Sequence, residues 1–247
     1  MYKETWETIQ RKITNNPVAL LPVGSVEQHG YHAPLGTDLI IAEAFAASFL
    51  KNEKTIVLPS IPIGVSDYHR HFPGTLWVSE NTLRQYVGET IEALKWHGIS
   101  KTIIVNGHGG NNEPLKELAK NLKKDQDVNV VVWTWFKAIE PEIVDFFKYL
   151  PPLHADELET SMLLAIEPEL IRFDRVEETE SEGSPVWGKF INHTLYSTIV
   201  KDFSKSGSTG KPTLASAEIG KTFYKLALAN LSDLIDEFSA IDRKDDE

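Results

Sequence analysis

The chain has 247 residues, of which 41% are hydrophobic and 25% charged, a balance that excludes disordered and fibrous classes. Lys and Arg number 25 against 36 Asp and Glu, so the formal charge of −11 repels nucleic acid and anionic membrane surfaces, and no basic patch offsets it. Zero cysteines exclude disulfides, thiolate nucleophiles and Cys-ligated metals, and the absence of a membrane-length apolar window or a signal-like leader predicts a soluble cytoplasmic protein.

In chain order, short runs rich in Val, Ile and Leu alternate with segments of helical period. Residues 18–23 predict a first strand, unbroken by charge, of the kind covered on both faces in a parallel sheet. A helix is expected over 38–50, with Leu39, Ile40, Ala42, Phe45, Ala46 and Phe49 on one broad stripe behind Thr37 and Asp38. A second strand follows at 55–58, then a helix over 79–97 that starts on a Ser cap and stops at Gly98. Strands at 102–105 and 128–136 flank a helix opened by Asn111, Asn112, Glu113 and Pro114, the proline falling where its missing N–H costs little. Further helices are expected over 156–166 and 215–238. This alternation predicts βαβ units and a layered α/β fold in one domain, residues 1–240, with 241–247 as a frayed tail. Residues 172–212 lack periodicity. An insert of that length is expected to be a lid, a binding loop or an assembly surface, its acidic patch at Glu177, Glu178, Glu180 and Glu182 a solvated face.

Chemistry-bearing residues concentrate where strands end. The loop after the first strand carries Glu27, His29 and Asp38. Glu27 and His29 are two apart, so in extended chain both side chains point to one side. Alone, Asp38 reads as an N-cap. Three potential ligands among glycines and prolines at a strand exit favour a site instead, because ligands gather at the carboxyl ends of parallel strands. The third strand leads into Asn106-Gly-His108-Gly109-Gly110-Asn111, where small neighbours let an ion or ligand approach the backbone. An anion cradle is the rival reading, although neither the Walker nor the dinucleotide spacing is present. In His154-Ala-Asp156-Glu157-Leu-Glu159, Asp156 and Glu159 have capping-box spacing, so Glu159 stands evenly between cap and site. His69 and His71 are expected to share one side of a turn. His97 suits a helix C-terminus, and His193 has no assigned role. Carboxylates and imidazoles without thiolates suit Zn²⁺, Mn²⁺ or Fe²⁺, and a carboxylate such as Asp38 is able to bridge two ions.

These pieces resemble the creatininase (creatinine amidohydrolase) family: residues 21–30, Gly36-Thr-Asp38, Phe72-Pro-Gly-Thr75, Asn106 to Asn111, Glu159-Thr-Ser161, and a late segment from Gly207 to Gly220, all in the family's order. The resemblance implies a three-layer α/β sandwich with a central, mostly parallel sheet flanked by helices. It also implies a homo-oligomer, commonly a hexamer, and one or two divalent ions per chain (Zn²⁺, Mn²⁺ or Fe²⁺) hydrolysing C–N bonds of small amides. Carried over by position, Glu27, Asp38 and His108 would hold one ion, His29 and a bridging Asp38 the other. His154 would carry protons, and Thr75, Gly109 and Gly110 would contact substrate. Two departures weigh against creatinine itself. The family's namesake has a carboxylate at the position of Gly110, for which Glu159 is the candidate replacement. It also has a tryptophan shortly before the position of His154, where this chain runs Tyr149-Leu-Pro-Pro-Leu153. The Gly-His-Gly-Gly-Asn version is more similar to the wider family, which includes formamide hydrolases of flavin and deazaflavin biosynthesis and cofactor-maturation peptidases.

The expected activity is therefore hydrolysis of a small amide, formamide or cyclic amide by water acidified between the cations, with His154 protonating the departing nitrogen. Glu159 would complete the second ion or take part in catalysis, and the backbone of the 107–110 turn would help hold the oxyanion. A metal-binding oligomer with a structural or regulatory site and no turnover is the alternative, and an anion-binding module a more distant one.

Overall fold

The computed structural model describes residue 1, residues 3–151 and residues 154–241; residues 242–247, read above as tail, lie outside the described residues. The elements run α1 (Trp6–Ile13), β1 (Val18–Val23), α2 (Thr37–Ala47), β2 (Thr55–Val57), α3 (Glu80–Trp96), β3 (Lys101–Asn106), α4 (Asn112–Gln126) and β4 (Asn129–Thr134). After them come α5 (Trp135–Ala138), α6 (Glu140–Phe147), α7 (Glu157–Ile166), α8 (Val176–Ser181), the hairpin β5 (Lys189–Ile191) and β6 (Thr194–Ser197), and α9 (Ala217–Ser239).

The main sheet has the order β2-β1-β3-β4, and every pairing is parallel. Val18 lies opposite Thr55 on one side and Lys101 on the other, so β1 and β3 fill the middle. All six positions of both strands are buried, which explains why they read as continuous apolar runs rather than alternating ones. Alternation appears in what each face touches. Val18, Leu20, Ile103 and Val105 join α2, α7 and α9 in one core, while Ala19, Leu21, Val23 and Ile104 join α3 and α4 in the other. The result is a three-layer sandwich with helices on both faces.

Differences from the sequence expectation have physical reasons. The run 128–136 is not one strand: β4 ends at Thr134, and Trp135 and Phe136 open α5. Both aromatics stay buried against the same core, so apolar content continues across a change of backbone geometry. α1 and α6 are short, outer helices whose single buried anchors, Ile9 and Ile143, left little apolar signal. Among the described residues, no helix is long and apolar enough to cross a membrane.

The irregular insert is more ordered than its composition suggests. Ser204, Ser206, Ser208 and Thr209 are buried. Ser206 Oγ donates to the Thr179 carbonyl at 2.7 Å, Ser208 Oγ to the Ala155 carbonyl at 2.7 Å, and Thr209 N to the His154 carbonyl at 3.0 Å. Small hydroxyl side chains thus take the place of apolar packing, tying the insert to the loop that bears His154. Its acidic patch is not purely solvated: Glu182 accepts from the Tyr31 hydroxyl at 2.6 Å, and Glu180 accepts from Thr213 N at 3.0 Å.

Candidate metal centre

The carboxyl ends of β1 and β3 face the first turn of α2, and two glycines bring them together. A Cβ on Gly24 would stand 2.5 Å from Leu39 Cα, and one on Gly107 would run into the Asp38 carbonyl oxygen. With hydrogen in both places, the strand exits close on α2 and Asp38 is carried between the loops of Glu27 and His108. Asp38 is not an N-cap. Gly36 occupies that position, and the helix start has no side-chain cap bond. The Asp38 carboxylate instead turns towards histidines, with Oδ1 3.4 Å from His29 Nε2 and Oδ2 3.1 Å from His108 Nδ1.

Glu27 lies on the other side of His108. Its Oε2 is 3.3 Å from His108 Nε2, and its Oε1 is 3.4 Å from His69 Nε2 and 3.6 Å from His154 Nδ1. Glu159, one turn into α7, reaches 3.6 Å from His29 Nε2 while also accepting from Ala155 N at 2.5 Å. The N-cap of α7 is Asp156, which accepts from Leu158 N and Glu159 N. Glu159 therefore accepts from the residue before the N-cap, not from the N-cap N–H that capping-box spacing predicts, and faces the cluster at the same time.

Three sets of donor atoms, each within 4.8 Å of one another, emerge: Glu27, Asp38 and His108; His29, Asp38 and Glu159; and Glu27, His29 and His154. Every member is buried, and Asp38 is common to the first two. Within this centre Glu27 Oε2, His29 Nε2, Asp38 Oδ2 and His69 Nε2 are buried without a hydrogen-bond partner. Such atoms are costly when left alone, and all of them converge on the same space. Hard oxygen and borderline nitrogen donors in this arrangement fit a divalent cation.

The protonation pattern follows from burial and mutual charge. Burial pushes Glu27 up to about 7, and burial likewise holds Glu159 well above the usual carboxylate range. Burial opposes ionisation of Asp38 too, but His29 and His108 outweigh it and hold the carboxyl well below its ordinary value. Although burial disfavours the imidazolium, Asp38 and Glu159 raise His29 to about 10, and Glu27 and Asp38 raise His108 to about 9. His69 and His154 are held neutral, well below the ordinary histidine value, by burial and by neighbouring histidines.

Surrounding groups fix the orientation. His29 Nδ1 donates to the Glu27 carbonyl at 3.1 Å, which leaves Nε2 to face the centre. Asn106 Nδ2 donates to the His108 carbonyl at 2.7 Å, and Asn111 Nδ2 to the Gly24 carbonyl at 3.0 Å, so the two asparagines lace the β1 and β3 exits together. Gln28 Nε2 donates to the Gly207 carbonyl at 3.0 Å and lies within hydrogen-bond distance of His69 Nδ1, at 2.7 Å, and His154 Nε2, at 2.6 Å. Any side chain on Gly207 would occupy the Gln28 amide.

A cleft of about 390 Å³ opens over Glu27, His108, His154 and Glu159, and its wall includes both Gly109 and Gly110. Thr75 does not line it. Its hydroxyl accepts from Gln28 N at 3.2 Å, so it holds the ligand loop rather than a bound molecule. His69 and His71 do not share a side either: the 3-10 turn Asp67–His69 buries His69 in the cluster and leaves His71 exposed. Sequence reasoning missed Gln28, Tyr68 and Trp187 as parts of the site. The adjacency of Gln28 to Glu27 and His29 was a signal, whereas Trp187 arrives from the insert and had none. Its indole stands 5.8 Å from His154 and 5.7 Å from Tyr68, both edge-on, so a tryptophan lines the cleft although none stands in the stretch 149–153 just before His154.

Comparison with known proteins extends this geometry. The family model for creatininase, described as creatinine amidohydrolase, matches residues 3–235. The mycofactocin precursor peptide peptidase of Mycolicibacterium smegmatis is 31% identical over 227 residues, covering 89% of this chain and 84% of its own. The creatinine amidohydrolase of Pseudomonas putida is 25% identical over 251 residues, covering 94% of both. A solved manganese creatininase superposes with a TM-score of 0.81 at 24% identity, over 96% of this chain and 98% of its own, a likeness of fold.

Proposed function

Because the chain belongs to the creatininase (creatinine amidohydrolase) family, we propose that it is a metal-dependent hydrolase cleaving the C–N bond of a small amide, formamide or cyclic amide. The observation that carries this reading is the pair of donor sets sharing the Asp38 carboxylate. In this reading Glu27, Asp38 and His108 would hold one divalent ion, and His29, Asp38 and Glu159 would hold a second. A site without turnover would suit the lack of a carboxylate at Gly110, but the Glu159 carboxylate beside His29 supports the hydrolase reading instead.

Divalent ions bound there supply positive charge that acidifies water and polarises a carbonyl. The chain's own groups do the rest. His154, neutral and within 3.6 Å of Glu27, accepts a proton from the attacking water and delivers it to the departing nitrogen, which cannot leave as an amide anion. Trp187 lines the cleft beside His154 and offers an apolar face against which a substrate would pack. Gly109, where a Cβ would meet only Phe136 at 3.8 Å, leaves room for a flat amide group to approach the backbone.

The test is a count of bound metal on the purified protein, followed by assays on a panel of formamides, lactams and short peptides with and without chelator. We expect two ions per chain and turnover that chelation abolishes and zinc or manganese restores. Glu159→Gln should retain one ion and lose most activity. Hydrolysis undiminished in metal-free Glu27→Ala protein would contradict the assignment.

A further inference from the structure

Tyr68 has no role in the reading above, yet its hydroxyl sits at the edge of the Glu27, Asp38 and His108 set. The ring lies nearly parallel to His108, at 21° with centroids 6.1 Å apart, and lines the cleft. Its oxygen is 3.0 Å from His108 Nε2. The same Nε2 is 2.9 Å from the Val65 carbonyl oxygen. A carbonyl only accepts, so Nε2 carries a hydrogen there, and towards Tyr68 it is again the donor. Tyr68 Oη is thus the acceptor of that contact, and its own O–H proton has no acceptor among the described residues. Gly110 opens the space for this hydroxyl: a Cβ at 110 would collide with the Tyr68 oxygen and with Val65 O, and would stand 2.6 Å from His108 Nε2.

We propose that Tyr68 is a catalytic hydrogen-bond donor, its free hydroxyl proton directed into the cleft to stabilise the oxyanion that forms when an amide carbonyl is attacked beside His108. The inference rests on the hydrolase reading. As the water oxygen bonds to the carbonyl carbon, the π pair moves onto the carbonyl oxygen, and Tyr68 donates a hydrogen bond to it without giving up its proton. When the C=O bond re-forms, the C–N bond breaks and the nitrogen leaves with the proton carried by His154. A donor already placed before the charge develops is worth more than one recruited from solvent.

Tyr68→Phe removes the donor and keeps the ring. The variant should lose about 100-fold to 1,000-fold in kcat, the range for one oxyanion donor, with KM changed by less than about threefold. Metal content per chain should equal that of the wild type. Tyr68→Gln, which restores an N–H donor, should recover part of the loss. Binding of inorganic phosphate to the metal-loaded protein, measured by calorimetry, gives a readout independent of turnover. A tetrahedral anion should bind at least about 10-fold more weakly to Tyr68→Phe, as for one hydrogen bond to a charged group. Unchanged kcat and unchanged phosphate affinity overturn the proposal, and so does loss of metal from Tyr68→Phe, which would make Tyr68 a positioning residue for His108. If the wild type hydrolyses no amide, the hydrolase reading fails, and the phosphate comparison alone then decides whether Tyr68 donates. A wild type that neither turns over nor binds phosphate sinks both.

Discussion

Asp38 is one carboxylate serving two imidazoles, and its position between His29 and His108 makes it the residue on which both donor sets depend. Asp38→Ala should therefore remove both ions, where Glu159→Gln removes one; elemental analysis of the two purified variants distinguishes them. Protons compete with metal in this cluster. Near neutral pH the metal-free protein carries protons on His29 and His108, which are raised to about 10 and about 9, and metal must displace them. Zinc binding should accordingly release protons and strengthen as pH rises, measurable by calorimetry in buffers of different ionisation enthalpy. The same shifts set stability without metal. Each histidine is raised on folding above an ordinary value near 6.5, so its contribution is complete below about 6.5 and fades as pH climbs through about 9 to 10. Melting temperatures of metal-free protein should fall over that alkaline window. At this scale the sequence was legible where candidate donors sit two apart after a strand, as with Glu27 and His29, which the fold brings into one buried cluster. It was silent for Trp187, whose neighbours His69 and His154 lie far off in the chain and are joined only by folding.

The elements that carry these residues are set by close backbone approaches. α7 and α9 meet where Gly220 faces Ser161, and a Cβ at 220 would strike the Ser161 carbonyl. Ser161 is two residues beyond Glu159, so a shift of α7 moves the Glu159 carboxylate. Gly220→Ala is expected to destabilise by about 1–3 kcal/mol, as overpacking does, and to weaken one of two metal-binding steps more than the other. Thermal melts and metal titration check both effects. The strands and long helices were readable because β1 is apolar throughout, β3 is apolar over 103–105, and α3 begins on Ser79, whose side chain accepts from Thr82 N. Residues 172–212 were not, because hydroxyl-to-carbonyl bonds such as those of Ser206 and Ser208 leave no hydrophobic period to detect.

For the molecule as a whole, the hairpin of β5 and β6 stands away from the main sheet with Phe190, Ile191, Leu195 and Tyr196 exposed. Apolar side chains grouped on one projecting element suit burial against another copy. We expect a homo-oligomer by sedimentation, and dissociation in a Phe190→Glu, Tyr196→Glu double variant. A layered α/β order followed from strand and helix alternation and its three layers from the family resemblance, while the number of copies depends on surfaces that alternation does not encode.

The buried serines and Thr209 that pin the insert to the His154 loop have a consequence for what enters the cleft. A rim anchored by hydrogen bonds at Thr179, Ala155 and His154 cannot swing aside without leaving those carbonyls bare in a dry interior. The cleft wall that these bonds support is therefore expected to keep its shape when a molecule enters, so the two forms of the protein, empty and filled, should show the same protection from hydrogen exchange at residues 204–209.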